Sequence, residues 1–151
     1  MTPPPEARAD RTDLADRAVA EREVCGLVNG LAHQIADHVR RRAVTLGLTA
    51  AQATALREMT GPMTMRELAE RMSCEPSNAT YVIDKLEGQG LVERRPHPTD
   101  RRARHLVLTA EGDALRERLL ELLAQDSPLG GLTPEQQRAL QELLEKTVVR
   151  S

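Results

Sequence analysis

The chain has 151 residues, 40% of them hydrophobic and 29% charged, with a formal net charge of -2. That length suits one domain with a buried core, and the near-neutral charge argues against a protein that coats nucleic acid indiscriminately. One Tyr and no Phe or Trp leave Leu, Val, Ile, Met and Ala to build the core, a palette for interlocking helices rather than a β-sandwich.

Residues 1–12 are Pro-rich and polar and read as a disordered arm. They lack the apolar stretch and basic cluster of a secretory signal, and no segment reaches the ~20 apolar residues of a membrane span, so the expected compartment is the cytoplasm. From near Asp13 to Thr45 the residues Val24, Leu27, Val28, Leu31, Ile35 and Val39 recur at helical steps and form one apolar stripe. Gly26 and Gly30 sit within it, and a helical Gly costs ~1 kcal/mol relative to Ala. Close packing against another helix is the expected compensation. Arg40, Arg41 and Arg42 suit the helix C-terminus, and Leu46-Gly47-Leu48 ends it.

Thr49 caps a second helix, Ala50 to Met59, which Gly61-Pro62 breaks. Thr64 with Glu67 forms a capping box for a third helix through Met72. Ser73-Cys74-Glu75 is a turn, Pro76 suits the first position of a fourth helix running to about Gln89, and Gly90 closes it. Leu91–Arg95 then reads as a strand, 96–103 as a loop, and Arg104–Leu108 as a returning strand. Thr109 with Gly112 opens a fifth helix to about Ala124. Thr133-Pro134-Glu135-Gln136 caps a sixth, with Leu140, Leu143, Leu144 and Val148 on one face. The expected fold is mainly α (α+β), in the order α-α-α-α-β-β-α-α.

Two short helices joined by a tight turn and followed by a hairpin make a winged helix-turn-helix. Ala79, Val82, Ile83 and Leu86 should be buried, leaving Ser77, Asn78, Thr80, Tyr81, Asp84 and Lys85 on the opposite face. Short polar side chains there suit base edges in a major groove, and Ser77, Thr80 and Lys85 suit phosphates. A polar face alone is equally a solvated one. The hairpin discriminates between them: between Leu91 and Leu108 five arginines (Arg94, Arg95, Arg101, Arg102, Arg104) face two acids, a net charge of +3. A tip arginine can enter a minor groove; Arg102 is the candidate, with Asp100 placed to hold an arginine through a bidentate pair. Arg94, Arg95 and Arg104 are expected as phosphate or structural contacts.

The run Asp100-Arg101-Arg102-Ala103-Arg104-His105-Leu106-Val107-Leu108-Thr109-Ala110-Glu111-Gly112 resembles the wing signature of the MarR family, Asp-x-Arg followed by a strand and Leu-Thr-x-x-Gly. Asp84 to Arg94 is similar to that family's recognition-helix exit, and Met65 to Met72 to its first helix-turn-helix helix. The resemblance implies a bacterial homodimer in which residues 13–46 and 109–151 form a helical dimerisation module and residues 47–108 a winged helix-turn-helix domain. It implies a transcriptional repressor on a pseudo-palindromic operator, released by a small ligand or by thiol oxidation. By position, Ser77, Asn78 and Tyr81 fall on the major-groove face, Arg102 on the wing tip and Asp100 on its supporting carboxylate. Ser73 departs from the Gly common in such turns.

Cys25 lies where the family's peroxide-sensing branch keeps a reactive thiol, but the tyrosines that surround that thiol have no counterpart here. A free Cys is commonly a small buried hydrophobe, and Cys25 reads so. Cys74 precedes the recognition helix, whose N-terminus could lower a thiol pKa; it reads as a partly buried turn residue. A redox-sensing regulator acting through either cysteine is the alternative. His33 and Asp37, one turn apart with His38 following, offer half a metal site; without further ligands, surface hydrogen bonding is their expected role. His97 and His105 flank the wing loop and can add positive charge at acid pH. No phosphate loop, nucleophile elbow or metal signature is present, so neither an enzyme, a metal nor a cofactor is expected. A winged helix used for protein–protein contact would carry no arginines at its wing.

Overall fold

The computed structural model describes Met1 and residues 5–148. The element order is α1 (Pro5–Thr45), α2 (Ala50–Glu58), α3 (Met65–Arg71), α4 (Pro76–Gly88), β1 (Val92–Pro96), β2 (Arg104–Leu108), α5 (Ala110–Ala124) and α6 (Pro134–Thr147). This is the expected mainly α order with one hairpin. Residues 2–4 of the expected arm and 149–151 of the expected dimerisation module lie outside the described residues.

The arm is the first correction, because α1 begins at Pro5 rather than near Asp13. A polar composition points to disorder, yet Pro suits a first helical position, and the Glu, Ala and Arg that follow are strong helix formers. Compact units divide between Ala36 and Asp37. In the first unit Leu14, Val19, Val24, Leu27 and Val28 are exposed. Gly26 and Gly30 have nothing within 4 Å of where a Cβ would stand, so the helix expected against them is not supplied by the described chain. Cys25 is exposed, against the expectation of a buried hydrophobe.

In the second unit the short helices owe their start points to their caps. Thr49 with Gln52, Thr64 with Glu67 and Thr133 with Gln136 each form a reciprocal capping box. The far end of α2 is held by arginines from other elements: Arg116 of α5 donates to the carbonyls of Leu56 and Arg57, and Arg71 of α3 to that of Glu58. Cations there satisfy the unpaired carbonyls at the negative end of α2. Arg42 does the same for α5, donating to the Gln125 carbonyl at 3.0 Å. His38 Nε2 lies 2.8 Å from the Leu123 carbonyl oxygen and the residue is buried, not on the surface as expected.

Leu56, Met59, Met63, Leu68, Ile83, Leu86, Val92, Leu106 and Leu119 are the large fully buried side chains, drawn from α2, the α2–α3 segment, α3, α4, both strands and α5. The core needs no aromatic ring. β1 pairs antiparallel with β2, Val92 opposite Leu108 and Pro96 opposite Arg104. A single residue extends the ladder: Met63 exchanges both backbone bonds with Leu106, at 3.2 and 2.7 Å. One residue carries no period, so no sequence pattern announces it.

Two corners set the angle at which the hairpin leaves the helices. Gly90 takes φ +73 after α4. At the return, Thr109 donates its backbone N–H to the Leu91 carbonyl and its hydroxyl to that of Gly90, while accepting the Gly112 N–H at 3.0 Å. A Cβ on Gly112 would collide with the Leu91 carbonyl oxygen and stand 2.9 Å from its carbon. The Leu-Thr-x-x-Gly sequence is thus a steric requirement of this corner.

Candidate nucleic-acid interface

α3 and α4 meet through Leu68 and Ala69 on one side and Ala79, Val82, Ile83 and Leu86 on the other, all buried. That packing fixes which side of α4 faces outward. The turn between them takes a left-handed residue at Ser73, φ 53, the conformation for which Gly is usual. Cys74 is half-buried in the same turn, its N–H donating to the Ala69 carbonyl.

On the outward side Ser77 and Asn78 are exposed, and their side chains make no hydrogen bond to the described residues. Tyr81 is 66% exposed, with Lys85 Nζ 5.4 Å from its ring centre. The ammonium therefore braces the ring against α4. Thr80 is half-buried, and its hydroxyl donates to the Pro76 carbonyl at 2.9 Å. It keeps only its acceptor capacity for an outside partner.

The five hairpin arginines separate into two groups. Arg94 Nη2 lies 2.7 Å from Asp84 Oδ1 and Nη1 2.9 Å from Glu87 Oε1, a fork that ties β1 to α4. The hydrogen bond to Asp84 raises the Arg94 pKa above its ordinary value; partial burial opposes this and the charge of Glu87 adds to it. Arg95 pairs with Glu93 of its own strand at 3.0 Å. Arg101, Arg102 and Arg104 are exposed, and no ion pair among the described residues includes them. Within the hairpin, unpaired arginine is therefore confined to the wing tip and β2.

Asp100 does not hold a guanidinium. Its Oδ1 accepts the backbone N–H of Arg102 at 2.9 Å, and its carbonyl accepts the Ala103 N–H at 3.3 Å. A carboxylate two residues before a backbone N–H closes this turn more readily than it reaches a flexible side chain. Asp100 thus shapes the backbone from which Arg102 projects and leaves the guanidinium free.

Asp37 pairs with Arg40 at 2.8 Å, and His33 is exposed. Among the described residues no group of three or more His, Cys, Asp or Glu is placed to hold a metal ion. No described helix is long and apolar enough to cross a membrane.

Residues 48–103, from the end of the α1–α2 turn to the wing, match the MarR family model. The chain is 32% identical over 108 residues to the multiple antibiotic resistance protein MarR of Escherichia coli K12, covering 68% of this chain and 75% of that protein. The chain belongs to the MarR family. The MarR fold is similar as well: a cysteine-to-serine mutant of the E. coli protein, solved with operator DNA, superposes with a TM-score of 0.65 at 27% identity, covering 84% of this chain and 94% of that one. A MarR family protein of Mycobacterium tuberculosis in complex with salicylic acid gives 0.62 at 31% identity, covering 81% and 93%. YkoM, described as an uncharacterised helix-turn-helix-type transcriptional regulator of Bacillus subtilis, is 32% identical over 93 residues, and the chain spans 60% of its length.

Proposed function

We propose that this MarR-family chain is a transcriptional regulator, a repressor that binds a pseudo-palindromic operator as a homodimer and is released by a small ligand. The division between paired and free arginines carries the reading. Arg94 is neutralised by Asp84 and Glu87 of α4 and Arg95 by Glu93 of its own strand, while Arg101, Arg102 and Arg104 stand free beside an α4 face of Ser77, Asn78, Tyr81 and Lys85. In this arrangement α4 enters a major groove, Ser77, Asn78 and Tyr81 meet base edges, and Arg102 reaches the adjacent minor groove. Lys85, Thr80, Arg101 and Arg104 meet phosphates. The similarity to a protein solved on operator DNA supports the same use of the same elements.

Residues 47–108 are the DNA-binding domain in this reading, and 13–46 with 109–151 the dimerisation module. Support comes from apolar surface left bare on the single chain. Val24, Leu27 and Val28 are exposed on α1, as are Leu143 and Val148 at the C-terminal end. A groove of about 700 Å³ beside α6 is lined by Leu129, Leu140, Leu144 and Val148. A second chain removes that surface from water.

A ligand has room in a cavity of about 350 Å³ below the wing, lined by Thr64, Met65, Arg66, Thr80, Arg94, Ala103, Arg104 and Leu106. Arg104 in its wall has no ion pair among the described residues, and no acid or aromatic ring lines it, which suits recognition of a carboxylate more than of a ring face.

Titration of binding against salt tests the contact. Arg102→Ala should weaken binding and lower the slope of log affinity against log salt by about one, the signature of one lost phosphate-region cation. An unchanged affinity and slope would remove Arg102 from the interface.

A further inference from the structure

We propose that His97 is the positioning residue of the wing tip, and that its protonation releases the turn that presents Arg102. The consequence for binding rests on the DNA-binding reading above; the geometry concerns the free protein. The backbone N–H groups of Thr99 and Asp100 both donate to His97 Nδ1, at 3.2 and 3.0 Å. A backbone N–H can only donate, so Nδ1 carries the lone pair and the ring is neutral with its proton on Nε2. The bonds then form a series. Nδ1 fixes the Asp100 N–H, Asp100 Oδ1 fixes the Arg102 N–H at 2.9 Å, and the Asp100 carbonyl takes the Ala103 N–H at 3.3 Å. The His97 N–H closes the loop on the Ala103 carbonyl at 3.3 Å. His97 thus fills the place that an Asn or Asp side-chain oxygen takes in an Asx turn. An amide oxygen there would be indifferent to pH, whereas imidazole is not.

Protonating Nδ1 turns the acceptor into a donor and strands two amides at once. The His105 ring of β2 lies with its centre 4.3 Å from that of His97. The strand register sets Arg95 opposite His105 on the same face, already paired with Glu93. Asp100 is the acid of the loop itself, and its carboxylate holds the Arg102 N–H. The bonded state needs an unprotonated Nδ1, so the turn is ordered with a neutral ring and is released when His97 takes up a proton. Simple charge gives the opposite sign: an imidazolium near phosphate would tighten binding as pH falls.

Backbone amide resonances of Thr99, Asp100 and Arg102, followed in the full chain from about pH 8 to about pH 5.5, separate the two. Wild type is compared with His97→Asn, whose amide oxygen falls near the Nδ1 position and does not protonate, and with His97→Gln, whose oxygen reaches the Nε2 position instead. The three amides should titrate together in wild type, stay bonded throughout in His97→Asn and be released at both ends in His97→Gln. Amides that do not titrate in wild type, or a His97→Asn that behaves as His97→Gln, would overturn the assignment. With a DNA duplex recovered by selection, wild type should lose about tenfold in affinity relative to His97→Asn over this range, the worth of about one hydrogen bond. A relative gain would overturn the release of Arg102. If none of the three proteins binds any duplex at about pH 8, the DNA-binding reading fails, and the amide titration still decides the role of His97.

Discussion

Arg94 and Arg102 have the same side chain and opposite surroundings, one paired and one exposed. Arg94 faces Asp84 and Glu87 from one helical turn of α4, at 2.7 and 2.9 Å, so its charge is matched and its role is to set the strand against the helix. Replacing Arg94 with Ala should lower stability by about 1 kcal/mol, as for a partly exposed ion pair, and leave the salt slope of DNA binding unchanged. A chemical-denaturation curve with a salt titration checks both, and a slope lowered by about one would make Arg94 a phosphate contact after all. The sequence singles out Arg102 by its place at the tip but does not divide Arg94, Arg95 and Arg104 into paired and free. Asp84 lies ten residues from Arg94, and only the angle between α4 and β1 brings the pair together. Asp100 was legible as the support of Arg102, but the sequence suggests its guanidinium where the structure has its backbone N–H. Local turn chemistry acts at two residues' distance and wins over a longer reach.

Elements whose limits are written locally are read well from sequence. Thr64 with Glu67, Thr49 with Gln52 and Thr133 with Gln136 place helix starts within a residue, because cap and partner are three positions apart. The first turns of α1 fail this test, since composition alone cannot tell a solvated helix from a disordered arm. The Met63 bridge fails it too, for a single paired residue has no pattern. The Leu108-Thr109-x-x-Gly112 corner is visible in sequence, though its reason lies in space: the Leu91 carbonyl occupies the position of a Cβ on Gly112. Gly112→Ala should therefore destabilise by about 3 kcal/mol, the upper range for overpacking without room to relax. The midpoint of urea unfolding reads this directly. An unchanged midpoint would show that the corner opens freely and that Gly112 does not fix the wing.

At the scale of the whole molecule, the proposed DNA binding rests on how charge is distributed in a near-neutral chain rather than on its sum. Acids neutralise the arginines nearest the core and leave the wing tip bare, so binding rests on a few well-placed contacts and depends on shape as well as salt. Bare apolar surface on α1 and at the C-terminal end, with Gly26 and Gly30 open, belongs to the same account. On the proposed reading a second copy covers that Leu and Val surface, and the two-fold pair reads a two-fold operator. Selection of bound duplexes from a random pool, using the full chain at physiological salt, tests this claim most directly. One inverted repeat with half-site centres about one helical turn apart, about 10 base pairs, should be enriched. Recovery of unenriched sequence, or of a single half-site bound by one copy, would contradict it.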